Sequence, residues 1–302
     1  SEFANSGYLG SLKEFTEEYA KPIEVERNHA TLDRFRHVTA PFLLRRVKTD
    51  KSIISDLPDK IETNQFCTLT QQQAALYQNV VDESLRAISG EKDGDIKRQG
   101  LVLKMLTALK QVCNHPSNFL KKPDADPALS GKTQLLLELL SQILDNGEKT
   151  LIFTQYREMG DLLVPLLRDQ LGEHAAFLHG GLSRKERDIM VEDFQNNRST
   201  RILLLSLKAG GTGLNLTAAS NVIHYDLWWN PAVEAQATDR AFRIGQQRNV
   251  QVHRFITQGT FEEKINTMLQ SKKELANLAV TSGEKWVGEL TDLELRDLVR
   301  LG

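Results

Sequence analysis

The sequence predicts an α/β fold: a parallel sheet with helices on both faces, preceded by a mostly helical region and followed by C-terminal helices. Three observations carry that expectation. From Ser130 onward, short continuous apolar runs alternate with segments of helical periodicity, the pattern of strands buried on both sides. Before about Asp126, apolar residues recur mainly at helical spacing. The apolar runs end in polar or glycine-rich sequence, as they do where an open α/β sheet builds a ligand crevice beyond the carboxyl ends of its strands.

In chain order, helical spacing is found over Phe3–Ala20, Thr31–Val47, Gln71–Ser89 and Ile96–Val112, with a strand-like stretch at Ile61–Leu69. Pro58 and the Gly90–Gly94 segment punctuate this part. Arg27, Arg34, Arg36, Arg45, Arg46 and Lys48 make it locally basic, which suits a solvated helix face. Lys132–Asp145 follows as an amphipathic helix with Leu135, Leu136, Leu139, Leu140 and Ile143 on one face. Then come strand Thr150–Thr154, helix Glu158–Leu171, strand Ala175–Leu178, helix Arg184–Gln195 and strand Arg201–Ser206. A glycine-rich loop leads to strand Val222–Asp226, a helix near Ala232–Phe242 and strand Val250–Ile256. Thr260–Gly302 reads as helical, with a capping box at Thr291-Asp-Leu-Glu294.

Composition narrows the function classes. With 302 residues, 40% hydrophobic and 26% charged, the chain is globular rather than disordered or fibrous. Arg201–Lys208 holds an apolar run of strand length, far short of a membrane helix, so no membrane association is expected. Ser1-Glu-Phe-Ala lacks the basic start and apolar stretch of a signal peptide. Cys67 and Cys113 stand far apart, which suits a reducing cytoplasm and neither a disulfide framework nor a zinc site. A net charge of -2 gives no global attraction to nucleic acid, so any such binding must come from local clusters.

Four strand ends carry unusual residues: Thr154-Gln-Tyr156, His179-Gly-Gly181, Ser206–Gly213 and Asp226-Leu-Trp-Trp-Asn230. Gly210, Gly211 and Gly213 let the backbone approach a phosphate or sugar closely. The dinucleotide fingerprint fails, because Leu216 stands where its third glycine belongs. Gly131-Lys-Thr133 resembles the end of a phosphate loop, but Asp126 replaces the leading glycine and no strand precedes it. A helix through Glu234–Gln246 would set Gln236, Arg240 and Arg243 on one face, where two guanidiniums suit phosphate and an ion pair with Asp239 is the plainer alternative. Of the adjacent Trp228 and Trp229, one is expected to pack and the other to be able to stack on a base or sugar. His224 and His253 read as satisfied core histidines, and His115 in Cys113-Asn-His-Pro116 reads as a turn or cap, with no metal site expected.

Gln236-Ala-Thr-Asp-Arg-Ala-Phe-Arg-Ile-Gly-Gln246 resembles helicase motif VI of the Swi/Snf-type ATPases, a branch of superfamily-two helicases. Leu151–Gln155 resembles motif IV, and Ser206–Leu216 resembles motif V, followed by the family's Asp226–Pro231 segment. Pro41–Arg46, Leu57–Lys60, Cys113–Pro116 and Ser130–Lys132 match in order, and the tail (Ser271 to Gly283 and Glu294–Asp297) resembles bacterial or archaeal members. The resemblance implies the second of two RecA-like lobes of a motor that uses ATP to move along double-stranded DNA. It implies residues 1–125 as the end of the lobe-one link and a helical protrusion, 126–260 as the RecA-like lobe, and 261–302 as a helical extension. It also implies that this chain is part of a larger protein, whose first lobe carries most of the ATP and Mg contacts.

By the same resemblance, Arg240 and Arg243 are arginine fingers toward the γ-phosphate. Gln236, Gly211 and Gly213 serve the nucleotide side. Thr154, Gly180, Gly181, Arg187, Ser206, Lys208 and Trp229 are candidate DNA contacts, through the backbone-positioning donors that carry no base specificity. Partners are the first lobe and double-stranded DNA, and the setting is the cytoplasm at the nucleoid. Three other readings compete. A degenerate binding module is disfavoured by the intact arginines. A Rossmann-type enzyme is disfavoured by the failed fingerprint. An RNA-remodelling lobe would place glycines before the arginines, where Asp239 and Phe242 stand.

Overall fold

The computed structural model describes residues 11–24, 30–31, 34–35, 58–90, 96–123, 125–206, 214–228, 230–271 and 290–302. The chain divides into two compact units, Ser1–Ser55 and Asp56–Gly302. In the first, Leu12–Phe15 and Lys21–Glu24 are α-helical, with a π-helical turn at Thr16–Ala20 between them. Pro22 has no N–H to donate, and the wide turn just before it absorbs that loss. Phe15, Tyr19 and Phe35 pack ring to ring at 5.4–6.1 Å between centroids. The expected helices over 3–10 and most of 31–47, the Pro41–Arg46 motif and the tail at 272–283 lie outside the described residues.

The second unit holds a six-stranded, wholly parallel sheet in the order β1-β6-β5-β2-β4-β3. The strands are β1 (Lys60–Cys67), β2 (Thr150–Thr154), β3 (Ala176–Leu178), β4 (Ile202–Ser206), β5 (Asn221–His224) and β6 (Val250–Thr257). The helices are α1 (Gln71–Ile88), α2 (Ile96–Asn114), α3 (Pro116–Leu120), α4 (Gly131–Asp145), α5 (Arg157–Leu171), α6 (Arg184–Asn196), α7 (Pro231–Thr238), α8 (Phe261–Ser271) and α9 (Asp292–Val299). The fold is RecA-like α/β. No helix among the described residues is long and apolar enough to cross a membrane.

Every residue of β2, β4 and β5 is buried, which explains their continuous apolar sequence. Leu136, Leu140 and Ile143 of α4 and Leu163 and Leu167 of α5 form a core with Ile152, Leu204, Ile223 and Phe255 of the sheet. A second core joins Tyr77, Val81 and Leu109 of the α1–α2 hairpin to Phe261 and Ile265 of α8 and Leu295 of α9. Capping boxes start α1 (Thr70 with Gln73), α6 (Ser183 with Glu186) and α9 (Thr291 with Glu294), the last as expected.

The layout follows the sequence expectation in its strands and differs from it at the helix after β5. The strand-like stretch 61–69 is β1, and it pairs in parallel with β6 from Lys60↔Val250 to Cys67↔Thr257. The helical hairpin (α1, α2) and the C-terminal helices (α8, α9) share a core and belong, with the sheet, to the compact unit Asp56–Gly302. The helix expected to run to Phe242 ends at Thr238.

Candidate functional site

The parallel register brings the strand ends to one edge, with Thr154 opposite Ser206 and Phe153 opposite His224. Thr154 is fully buried there, and its hydroxyl donates to Asp226 Oδ2 at 2.6 Å. Gln155 donates from its backbone N–H to Asp226 Oδ1 at 2.9 Å and from Nε2 to the Leu227 carbonyl at 2.7 Å. Thr154, one of the expected DNA contacts, thus directs its hydroxyl proton inward to Asp226 here. Ser206 is also buried. Gly211, Gly213, Lys208 and Trp229 lie outside the described residues.

The turn between β3 and α6 is an open surface. Gly180 has nothing within 4 Å of where a side chain would begin. A Cβ on Gly181 would lie 3.2 Å from the His179 ring and 3.5 Å from the Arg157 guanidinium. Gly181 N–H donates to His179 Nδ1 at 3.1 Å, and Arg187 donates to the carbonyls of Leu182 and Gly180 at 3.1 and 3.2 Å. Arg187 therefore braces the turn. Arg157, at the first position of α5 and largely exposed, shares this surface. Sequence reasoning passed over it, although a basic residue directly after the Thr154-Gln-Tyr156 tail was the available signal.

The helix leading into the motif VI segment starts at Asn230, whose side chain caps α7 by accepting from Ala232 N–H. The single helix face for Gln236, Arg240 and Arg243 does not form. Beyond Thr238 the chain makes tight turns, with Arg240 N–H on Ala237 O and Arg243 N–H on Ala241 O. Long-range bonds end the helix: Thr238 Oγ1 lies 3.0 Å from His224 Nε2, and the Arg240 carbonyl accepts from Leu216 N–H. Gln236 is left exposed, whereas Arg240 is buried and Arg243 is half-buried.

The two arginines remain neighbours. Burial and then the Arg243 charge hold the Arg240 guanidinium below the usual arginine range. Arg243 Nη1 donates to the Leu214 carbonyl at 3.1 Å, so both arginines meet the chain that directly follows the glycine-rich loop. Gln246 fastens the turn. Its Nε2 donates to Ala219 and Ala241 carbonyls at 2.8 and 3.1 Å, and its Oε1 accepts from Gln247 and Arg248 N–H at 2.9 and 3.0 Å. Two clustered guanidiniums, with a charge disfavoured by its surroundings, form a donor set suited to a phosphate chain.

Other sequence-marked residues serve the frame. Lys132 is fully buried and ion-paired with Glu262 at 2.8 Å, with Asn114 Oδ1 at 3.3 Å, so it is no phosphate-loop lysine. Gly131 is needed because a Cβ there would fall 2.0 Å from the Thr68 carbonyl oxygen. His115 caps α3 by accepting from Ser117 N–H, the expected role. His224 is only partly the satisfied core histidine expected: Nε2 is bonded to Thr238 and the ring stacks on Phe153, but buried Nδ1 has no hydrogen bond among the described residues. Burial pushes its pKa down to about 3. His253 reaches Asn221 and Gln65. Trp228 is half-buried, and its backbone N–H donates to Glu234 Oε1, a carboxylate that also pairs with Arg254 at 3.0 Å.

Known proteins match this arrangement. The Helicase conserved C-terminal domain family matches residues 131–245, and the SNF2-related domain family matches residues 2–118. A putative ATP-dependent helicase/translocase of Bacillus subtilis is 47% identical over 99% of this chain. The chain spans 32% of that protein's length and comparable or smaller shares of other curated relatives. Among solved structures, the Sulfolobus solfataricus SWI2/SNF2 ATPase core in complex with dsDNA is 44% identical, with TM-score 0.74, over 100% of this chain and 63% of that one. The SWI2/SNF2 ATPase C-terminal domain of the same organism is 41% identical, with TM-score 0.70, over 81% of this chain and 100% of that one.

Proposed function

This chain belongs to the SWI2/SNF2 ATPase family, and we propose that it is the second motor lobe of an ATP-dependent translocase on double-stranded DNA. The observation that carries the reading is the Arg240–Arg243 pair, held by Gln246 and meeting the chain after the glycine-rich loop. Phosphoryl transfer needs positioned positive charge more than covalent chemistry. Arg240 and Arg243 act as fingers on the γ-phosphate when a first RecA-like lobe, carrying ATP and Mg, closes on this one. Gly211 and Gly213 border the nucleotide, and Gln236 acts at the rim of that cleft. Lobe closure and reopening then change the grip on DNA.

The DNA track runs along the carboxyl edge of the sheet. Gly180, Gly181, Ser206, Lys208 and Trp229 contact the backbone there, with Arg157 and Arg187 supplying charge, while Thr154 positions the track from beneath. Binding of this kind is salt-sensitive and tolerant of sequence. The motor works in the cytoplasm, at the nucleoid. The test is phosphate release by the two-lobe protein with and without duplex DNA. Stimulation by DNA is the expected result. A folded two-lobe protein that neither hydrolyses ATP nor responds to DNA would replace this reading with that of a non-hydrolysing binding module.

A further inference from the structure

The buried carboxylate of Asp226 joins three elements. Asp226 follows β5 and is 1% exposed. It accepts from Thr154 Oγ1 at 2.6 Å and Gln155 N–H at 2.9 Å, both at the end of β2. It also accepts from Asn114 Nδ2 at 3.0 Å, at the end of the α1–α2 hairpin. Asn114 is itself fixed from all sides: its carbonyl accepts from Ser130 Oγ at 2.6 Å and Tyr225 OH at 3.0 Å, and its Oδ1 accepts from Lys132 at 3.3 Å.

The chain leaving this joint leads to the proposed DNA contacts on both sides. Gln155 is followed by Tyr156 and then Arg157, which faces the Gly181 turn. Asp226 is followed by Leu227, whose carbonyl accepts from Gln155 Nε2, and by Trp228 and Trp229. A carboxylate with matched donors holds its neighbours in one geometry, and buried polar networks specify a unique arrangement when every member is paired.

We propose that Asp226 is a positioning residue for DNA engagement, clamping the Thr154–Arg157 and Leu227–Trp228 segments to the Asn114 end of the helical hairpin. This rests on the translocase reading above. Through this joint, DNA bound at the sheet edge is held rigidly to the hairpin as well as to the sheet.

The test uses the full two-lobe protein and measures the duplex-DNA concentration that half-maximally stimulates ATP hydrolysis. Asp226→Asn turns an NH2 toward at least one donor, and Asn114→Asp sets two carboxylates against each other. Each raises the half-maximal DNA concentration about tenfold, the size expected for losing a hydrogen bond to a charged group, while the rate at saturating DNA changes less than about twofold. The double variant Asn114→Asp/Asp226→Asn restores a donor–acceptor pair and returns the value to within about threefold of wild type. Unchanged half-maximal concentrations in both single variants overturn the proposal, as does a double variant no better than the worse single one. Should Asp226→Asn fail to fold, Thr154→Val removes one donor alone and raises the value about threefold; a wild-type value there overturns the proposal. A wild-type protein without DNA stimulation overturns the translocase reading and this inference together, whereas a stimulated wild type with unaffected variants overturns the inference alone.

Discussion

Lys132 and the Arg240–Arg243 pair both sit in sequence that suggests phosphate binding, and the structure treats them oppositely. Lys132 lies in the interior against Glu262, and the pairing holds its ammonium above the usual lysine range despite full burial. Arg240 has Arg243 as its neighbouring charge, and its surroundings push its pKa down. One positive charge is met by a buried carboxylate, and the other is disfavoured by burial and by the like charge beside it. A basic residue after a glycine is therefore informative only once its counter-charge is located.

The contrast can be broken first at Lys132. Lys132→Met leaves Glu262 buried and uncompensated and should cost about 3–5 kcal/mol in urea unfolding. Lys132→Met/Glu262→Leu should recover most of that loss. Arg240→Met should change stability by less than about 1 kcal/mol, because its charge is already disfavoured. Equal losses at the two sites would erase the distinction.

The next effects concern the frame around the arginines. Gln246→Ala strips hydrogen bonds from two buried carbonyls and from the Gln247 and Arg248 N–H groups, and should cost about 1–3 kcal/mol, together with a loss of hydrolysis in the two-lobe protein. His224 gives a pH signature. Its folded pKa is about 3 against 6.5 when unfolded, so the unfolded chain binds the extra proton. The stability that depends on the neutral ring is fully present above pH 6.5 and is lost as pH falls from 6.5 toward 3. The slope contributed is up to about 1.4 kcal/mol per pH unit. His224→Gln should flatten that part of the acid-unfolding profile, and an unchanged profile would mean that other groups set it. The smallest effect is expected at the open turn, where Gly180→Ala should alter stability by less than about 0.5 kcal/mol, measured by thermal unfolding.

Much of the sheet was legible because β2, β4 and β5 are buried on both faces, so their apolar runs are uninterrupted. The strand ends were legible for the same reason, since polarity returns where the sheet stops. Long-range partners were not legible. The segment through Thr238 has strong helix formers, and only His224, Leu216 and Gln246, all distant or beyond it, show why the helix stops. Lys132 gives no sign in sequence that Glu262, 130 residues on, will meet it. Thr154 at a strand end reads equally well as an outward donor or an inward one, and Asp226 decides. The polar edge strand β1 was visible as a strand, but its pairing with β6 across about 190 residues was not.

The most direct test is single-turnover phosphate release by the two-lobe protein with saturating duplex DNA, wild type beside Arg240→Ala, with nucleotide binding measured in parallel. The account predicts that the variant binds ATP and DNA within about tenfold of wild type but releases phosphate about 10³-fold more slowly, the loss expected for a missing finger. Release at the wild-type rate would contradict it and leave Arg240 a structural residue of the turn.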